Sequence, residues 1–366
     1  MINKYFLFFL LFPAFCFGEL FLEITKGSED PFRVALIPLK ESDNFSKKIN
    51  KIIVNDLTRT GEFYILDEDL LLSLETTEED INYSDWKLLG VDYVVSIYTV
   101  KINNSIDLKY EIYDVYSKKK IRSSTVFGIP KQIRQLAHYT SDGIYESISG
   151  IKGIASTKLL YVNEIKNAKP GSRYNLMLAD SDGANEQTLL ASPEPIISPS
   201  WAPNGKKVAY VSFETGMAKV YIQDISSGQR ESVLSRNTQI SSPSWSPDGK
   251  YLSLTLYQDG NAEIYILRMR DRTLTRMTNH FSIDTESSWS PKGNKILFTS
   301  GRSGSPQIYE LNLRRLNPKP KRISFEGTYN AKAAYLPKEE GVIFVHRSAD
   351  GLFHIALKYK KENFIR

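Results

Sequence analysis

An α/β N-terminal domain followed by an all-β propeller is the fold class the sequence predicts, and three observations lead there. The first is a repeat: Trp201, Trp245 and Trp289 stand 44 residues apart, and Tyr221, Tyr265 and Tyr309 keep the same spacing. The second is turn chemistry. Each Trp opens a tight turn ("WAPNG", "WSPDG", "WSPKG") that leads into a run of β-formers ("KKVAYVSFE", "KYLSLTLYQ", "NKILFTSGR"). Pro presets φ at the first turn position, and Asn-Gly or Asp-Gly tolerates positive φ in a hairpin. Units of about 40–45 residues with four short strands each are the mark of propeller blades. The third is the contrast upstream, where helical and strand periodicities alternate as in a mixed domain. A chain of 366 residues leaves room for both units.

Taken in order, "MINKYFLFFLLFPAFCFGEL" has one Lys ahead of an apolar run and small residues near Gly18. It reads as a secretory signal peptide over 1–18, too short to span a bilayer. Phe15 is too large to precede a lipidated Cys16. Cys16 is the only cysteine, so the mature chain needs no disulfide. No later segment is long enough to cross a membrane. Residues 19–30 alternate weakly and suggest an edge strand or a mobile arm.

From Phe32, "FRVALIPL" predicts a strand. Ile49, Ile52, Ile53 and Leu57 have helical spacing, with Gly61 at the C-cap. "EFYILD" is a strand, and "YSDWKLLG" a short helix capped by Ser84 or Asp85. "VDYVVSIYTVKI", "SIDLKYEIYDVYS" and "KKKIRSSTVFGIP" are strands. Ile133, Leu136, Ala137, Ile144 and Ile148 share one side of a helix. The α/β domain therefore covers 19–152. After the small-residue stretch Gly150–Thr157, the propeller runs from 158 to 366. Outer strands fall at about 158–192, 207–236, 250–280, 295–325 and 341–366. Innermost strands are expected at Ser198–Pro203, Ser242–Pro247, Ser287–Pro291 and Ala331–Pro337, with Tyr335 in the Trp place. This gives five blades, the first without an innermost strand, as though the propeller were truncated.

Charge and motifs exclude several functions. A net charge of +5 without a basic cluster does not suggest nucleic acid. There is no Gly-x-Ser-x-Gly elbow, no Walker loop and no metal-spaced His or Cys, so no catalytic residue, cofactor or metal is expected. His138 reads as a structural helix residue. Asp248-Gly249 and Asp259-Gly260 read as turns rather than calcium ligands, and the three Trp as packing between blades rather than a sugar platform. Loops from the outermost strand of one blade to the innermost of the next are Ala191–Ser198, Ser235–Ser242, Asn279–Ser287 and Phe325–Lys332. They differ from one another while the frame repeats, which marks a binding surface. Arg236, Asn237, His280 and Asp284 are candidate rim contacts there, and Tyr329 a candidate aromatic anchor.

"SDWKLLGVDYVV", "YEIYDVYSKKKI", "QIRQLAHYTSDGIYESISGIKGI" and "KLLYV", in that order, resemble the N-terminal domain of the TolB family. "SPSWAPNGKKVAYVSFETGMAKVYIQDISSGQ" and "RISFEGTYNAKAAYL" are similar to its propeller, and the likeness runs from about Glu19 onward. It implies a non-enzymatic periplasmic component of the Tol-Pal system, serving outer-membrane integrity and constriction during cell division. The lipoprotein Pal would bind the propeller and TolA the N-terminal segment, here Glu19, Leu20, Phe21, Leu22, Glu23 and Ile24. By alignment on Pro243, Gln239 and Ser242 match Pal-contact positions, and Thr285 does so in "IDTESSW". The family's propeller has six blades, one more than is counted here. The alternative is an exported propeller that binds a small ligand, glycan or peptide.

Overall fold

The chain is described by a computed structural model covering residues 30–37, 44–72, 81–102, 105–166, 171 and 173–360. The expected signal peptide at 1–18 and the candidate TolA contacts Glu19 to Ile24 lie outside these residues.

The N-terminal unit is a five-stranded sheet in the order β2-β1-β3-β4-β5. Its strands are β1 (Phe32–Ile37), β2 (Phe63–Ile65), β3 (Tyr93–Ile102), β4 (Ser105–Asp114) and β5 (Lys119–Gly128). β1 pairs in parallel with β2 and β3, and β3, β4 and β5 form an antiparallel meander. Helices α1 (Asn44–Arg59) and α3 (Ile133–Ser149) cover one face. The stripe that predicted α1 is the stripe that packs: Ile49, Ile52, Ile53 and Leu57 meet Leu136, Ala137 and Ile144 of α3 over Val34, Val95 and Leu108. Full burial of each such side chain contributes about 1.5–3 kcal/mol. Helix α2 (Tyr83–Leu88) lies on the other face and sinks Trp86 among Ala35, Ile37, Val94 and Tyr113. Its N-cap is neither Ser84 nor Asp85. Asn82 occupies that place, accepting from the Ser84 N–H at 3.2 Å, because the helix starts one residue before the first expected cap.

Five further sheets form the propeller blades. The first contains β6 (Lys158–Ile165), β7 (Arg173–Asp180) and β8 (Gln187–Ser192). The second contains β9 (Ile196–Trp201), β10 (Lys207–Ser212), β11 (Lys219–Asp224) and β12 (Arg230–Ser235). The third has β13 (Ile240–Trp245), β14 (Tyr251–Gln258), β15 (Asn261–Arg268) and β16 (Leu274–Arg276). In the fourth are β17 (Asp284–Trp289), β18 (Lys295–Ser300), β19 (Gln307–Asn312) and β20 (Lys321–Arg322), and in the fifth β21 (Tyr329–Tyr335), β22 (Gly341–Arg347) and β23 (Phe353–Tyr359). Successive innermost strands β9, β13, β17 and β21 neighbour one another, so the blades stand side by side around a common axis. The first sheet shows no innermost strand among the described residues.

Within each blade successive strands run antiparallel, so the connections alternate between two ends. Loops from one blade to the next, and the β10–β11, β14–β15, β18–β19 and β22–β23 hairpins, gather at what we call the mouth end. The Trp-Pro-Gly turns and the β7–β8 turn lie at the base end. Adjacent base turns stack: Gly249 and Gly293, with φ of 69° and 66°, leave room for Pro203 and Pro247 of the preceding blade.

The innermost strands begin two to three residues before the expected points. Ser242, expected where loop gives way to strand, and Thr285, expected in a loop, lie inside β13 and β17. The reason is a β-bulge in each innermost strand, marked by a register shift against its neighbour. At the bulge Ser198, Ser242, Glu286 and Lys332 all take φ between 53° and 56°. A bulge breaks the alternation on which strand boundaries are read.

Linker and helix meet closely where the two units join. Asp142 of α3 accepts the N–H groups of Ala155 at 2.6 Å and Ser156 at 3.0 Å. Gly153 passes so near that a Cβ would fall 2.5 Å from the Asp142 Cα. Gly153→Ala should therefore destabilise the chain by roughly 1–3 kcal/mol, seen as a lower melting temperature. Gly301→Ala, where a Cβ would meet nothing closer than 3.6 Å, should stay within about 0.5 kcal/mol. Equal melting of the two variants would contradict the close packing.

Candidate functional site

The mouth end carries most of the candidates from the sequence. Arg236, Asn237 and Gln239 are exposed in the loop between β12 and β13. Ser242 is half-buried at the β13 bulge. Thr285 is half-buried too, its hydroxyl 3.3 Å from that of Thr255 in the preceding blade. Tyr329 opens β21 and meets the Phe353 ring edge-on at 5.6 Å. His280 stacks on Phe281, and its Nδ1 accepts the Ser282 N–H at 3.1 Å.

Asp284 is a correction. The sequence placed it at the rim, but it is fully buried and bonded to Arg302. Burial pushes its carboxyl up, while Ser300 and Arg302 pull the other way. Arg302 also lies over the Phe298 and Tyr309 rings, so the pair is part of the fourth blade's frame. Fully buried, with Arg302 on its Oδ2, Asp284 is not exposed at the rim.

Several exposed mouth residues carried no weight in the sequence reading. Phe281 is 88% exposed, Phe325 68% and Ile283 56%. They sit in loops outside the repeat, where no periodicity tells an inward aromatic from an outward one. The signal was their position in the same interblade loops as the polar candidates.

A second constellation lies at the base end, where α1 and α3 meet the first blade. Arg134 donates through Nε to Asp180 Oδ2 at 3.0 Å and through Nη2 to Asp182. His138 Nδ1 lies 2.6 Å from Asp56 Oδ2, and its Nε2 faces Arg134 Nη2 at 3.4 Å. Arg59 donates to Ser181 at 3.1 Å, and Lys158 pairs with Asp180. His138 is 2% exposed, in keeping with the structural role expected of it. Asp56, His138 and Asp182 bring possible ligand atoms within 4.8 Å of one another. These donors suit a guanidinium better than a metal ion, because Arg134 already supplies the cation between them. Sequence reasoning missed this junction because its members are far apart in the chain.

Burial alone would raise the Asp180 and Asp182 carboxyls, but Lys158 and Arg134 outweigh it for Asp180, and Arg134 for Asp182. Both are held below the ordinary 3.8. Their folded values lie under their unfolded ones, so the stabilisation is complete above 3.8 and is lost as pH falls through the folded values.

The fold thus defines a class: a small α/β domain docked on the base of a β-propeller whose opposite end presents divergent loops. The profile described as TolB beta propeller domain matches residues 145–365, and the TolB amino-terminal domain matches 20–121. The chain belongs to the TolB family. It is 40% identical over 215 residues to the Tol-Pal system protein TolB of Alcanivorax borkumensis, covering 58% of this chain and 49% of that protein. The counterpart from Hahella chejuensis is 38% identical over 230 residues, covering 62% and 53%. The chain spans about half the length of the curated relatives it matches. A crystal structure of TolB from Acinetobacter baumannii superposes with a TM-score of 0.85 at 34% identity, covering 94% of this chain and 84% of that one.

Arg134→Ala should lower stability by about 3 kcal/mol, since it leaves the buried Asp180 carboxylate short of a partner. Thermal melts with and without a chelator should coincide. Below about pH 4 the unmodified chain should lose more melting temperature than an Asp180→Asn, Asp182→Asn double variant. A chelator-sensitive melt, or identical acid profiles, would contradict this reading of the junction.

Proposed function

We propose that this chain is a non-enzymatic scaffold of the Tol-Pal system that works in the periplasm. Its propeller binds a Pal-like outer-membrane lipoprotein, and its N-terminal segment contacts a TolA-like inner-membrane protein. The observation that carries the reading is the presence of both TolB-family units in one chain, with the divergent interblade loops gathered at the end away from the α/β domain. Among the described residues no helix is long and apolar enough to cross a membrane.

The physics of such a role is binding. The propeller frame holds the interblade loops at the mouth, and Gln239, Ser242 and Thr285 lie where they can meet a partner entering along the axis. The N-terminal segment leads into β1, at the opposite end of the chain from the last blade. Two attachment points would let one chain connect proteins of two membranes and serve envelope integrity and constriction at division.

Replacing Gln239, Ser242 and Thr285 singly by Arg places a bulky charge against the partner and should cost several kcal/mol of affinity for the Pal-like lipoprotein. Circular dichroism should not change. Retained affinity in all three variants, or recovery of a bound glycan or peptide instead of a lipoprotein from envelope extract, would overturn the proposal.

A further inference from the structure

Exposed apolar side chains are divided unevenly between the two ends of the propeller. Phe281, Ile283, Phe325 and Leu352 are all more than half exposed at the mouth, whereas the turns at the base expose one large hydrophobic residue, Leu316, among the described residues. Concentrations of this kind mark protein contact surfaces.

The loops that carry these side chains are anchored from below. Glu263, at 1% exposure, accepts the Thr278 hydroxyl at 2.5 Å, the His280 N–H at 2.6 Å and Arg276 Nη2 at 3.1 Å. Neighbouring Asn261 donates to the Ser282 carbonyl at 3.1 Å. Residues 277–283 are thereby tied down around Phe281. One repeat later, Gln307 stands in the place of Glu263, also at 1% exposure. It accepts the Ser324 hydroxyl at 2.7 Å and Asn330 Nδ2 at 2.8 Å, and donates to the Gly327 carbonyl at 3.3 Å. That fixes the loop around Phe325. The two hydroxyls even share a second duty, since Thr278 accepts the Ile264 N–H and Ser324 the Ile308 N–H. A buried carboxylate is costly unless its oxygens are fully engaged. Here the engagement goes to loops that display apolar side chains to solvent.

We infer that Phe281, Ile283 and Phe325 form a preorganised apolar anchor surface for the protein partner, with Glu263 and Gln307 as positioning residues beneath it. Loops already held in place lose little conformational entropy on association. Arg322 lies over the Phe325 ring at 5.0 Å and Arg347 over Phe353 at 5.6 Å, so cations flank the aromatics. The matching partner surface is an apolar knob bordered by carboxylates. The inference rests on the proposed function, which supplies the occupant as the folded domain of the Pal-like lipoprotein.

Titration calorimetry and stopped-flow association with that domain, lacking its lipid, test it. Phe281→Ala and Phe325→Ala should each weaken binding about tenfold or more without a change in melting temperature. Glu263→Ala should slow association as the loop loosens, and Glu263→Gln, which keeps an acceptor as Gln307 does, should restore most of the rate. If Glu263→Ala fails to fold, the two Phe variants decide. Binding within twofold of the unmodified chain in both Phe variants would overturn the inference and leave the proposed function standing. Absence of binding by the unmodified chain would overturn both.

Discussion

A propeller sheet has two apolar faces and can bury neither alone, and this constraint organises most of the molecule. Leu252, Leu254 and Leu267 of the third blade pack with Val211, Val220 and Val233 of the second. Ala333, Val342 and Phe344 of the fifth pack with Leu297 and Ile308 of the fourth. Polar contacts repeat across the seams: the Trp289 indole N–H donates to the Ser244 carbonyl at 3.0 Å, and Ser288 to that of Ala333. Because blades are buried only when stacked in register, their loops are sorted into two ends. The sorting makes one end available to a partner and the other to the α/β domain.

The base end meets the α/β domain through a set of charged contacts. Arg134 joins α3 to the β7–β8 turn, and Arg59 extends the contact from α1. Asp142 fixes the linker against the same helix. Such geometry fixes orientation strictly, since a guanidinium fork is satisfied in few arrangements. The N-terminal unit is therefore held at a defined angle on the base, away from the mouth.

Much of this was legible in the sequence, and the exceptions share a cause. The Trp and Tyr register revealed the blades because each repeat buries the same positions in the same way. The Ile49, Ile52, Ile53 and Leu57 stripe revealed α1 for the same reason. The bulges at Ser242 and Glu286 were not legible, since positive φ at a non-glycine residue leaves little mark in composition. Asp284 was read as a rim residue because nothing local shows that Arg302 turns back to meet it. The Arg134 junction joins residues 46 and 48 positions apart, beyond any local pattern. Local periodicity carries the frame, while the site depends on loops and on pairings between distant residues.

The central claim is that the mouth end, and not the base, receives the lipoprotein partner. Hydrogen–deuterium exchange on the full chain, with and without the soluble domain of the Pal-like lipoprotein, addresses it most directly. The account predicts added protection in residues 236–242, 279–286 and 325–332, with the turns at 246–250 and 290–294 unchanged. Protection confined to those base turns or to the α/β domain would contradict it.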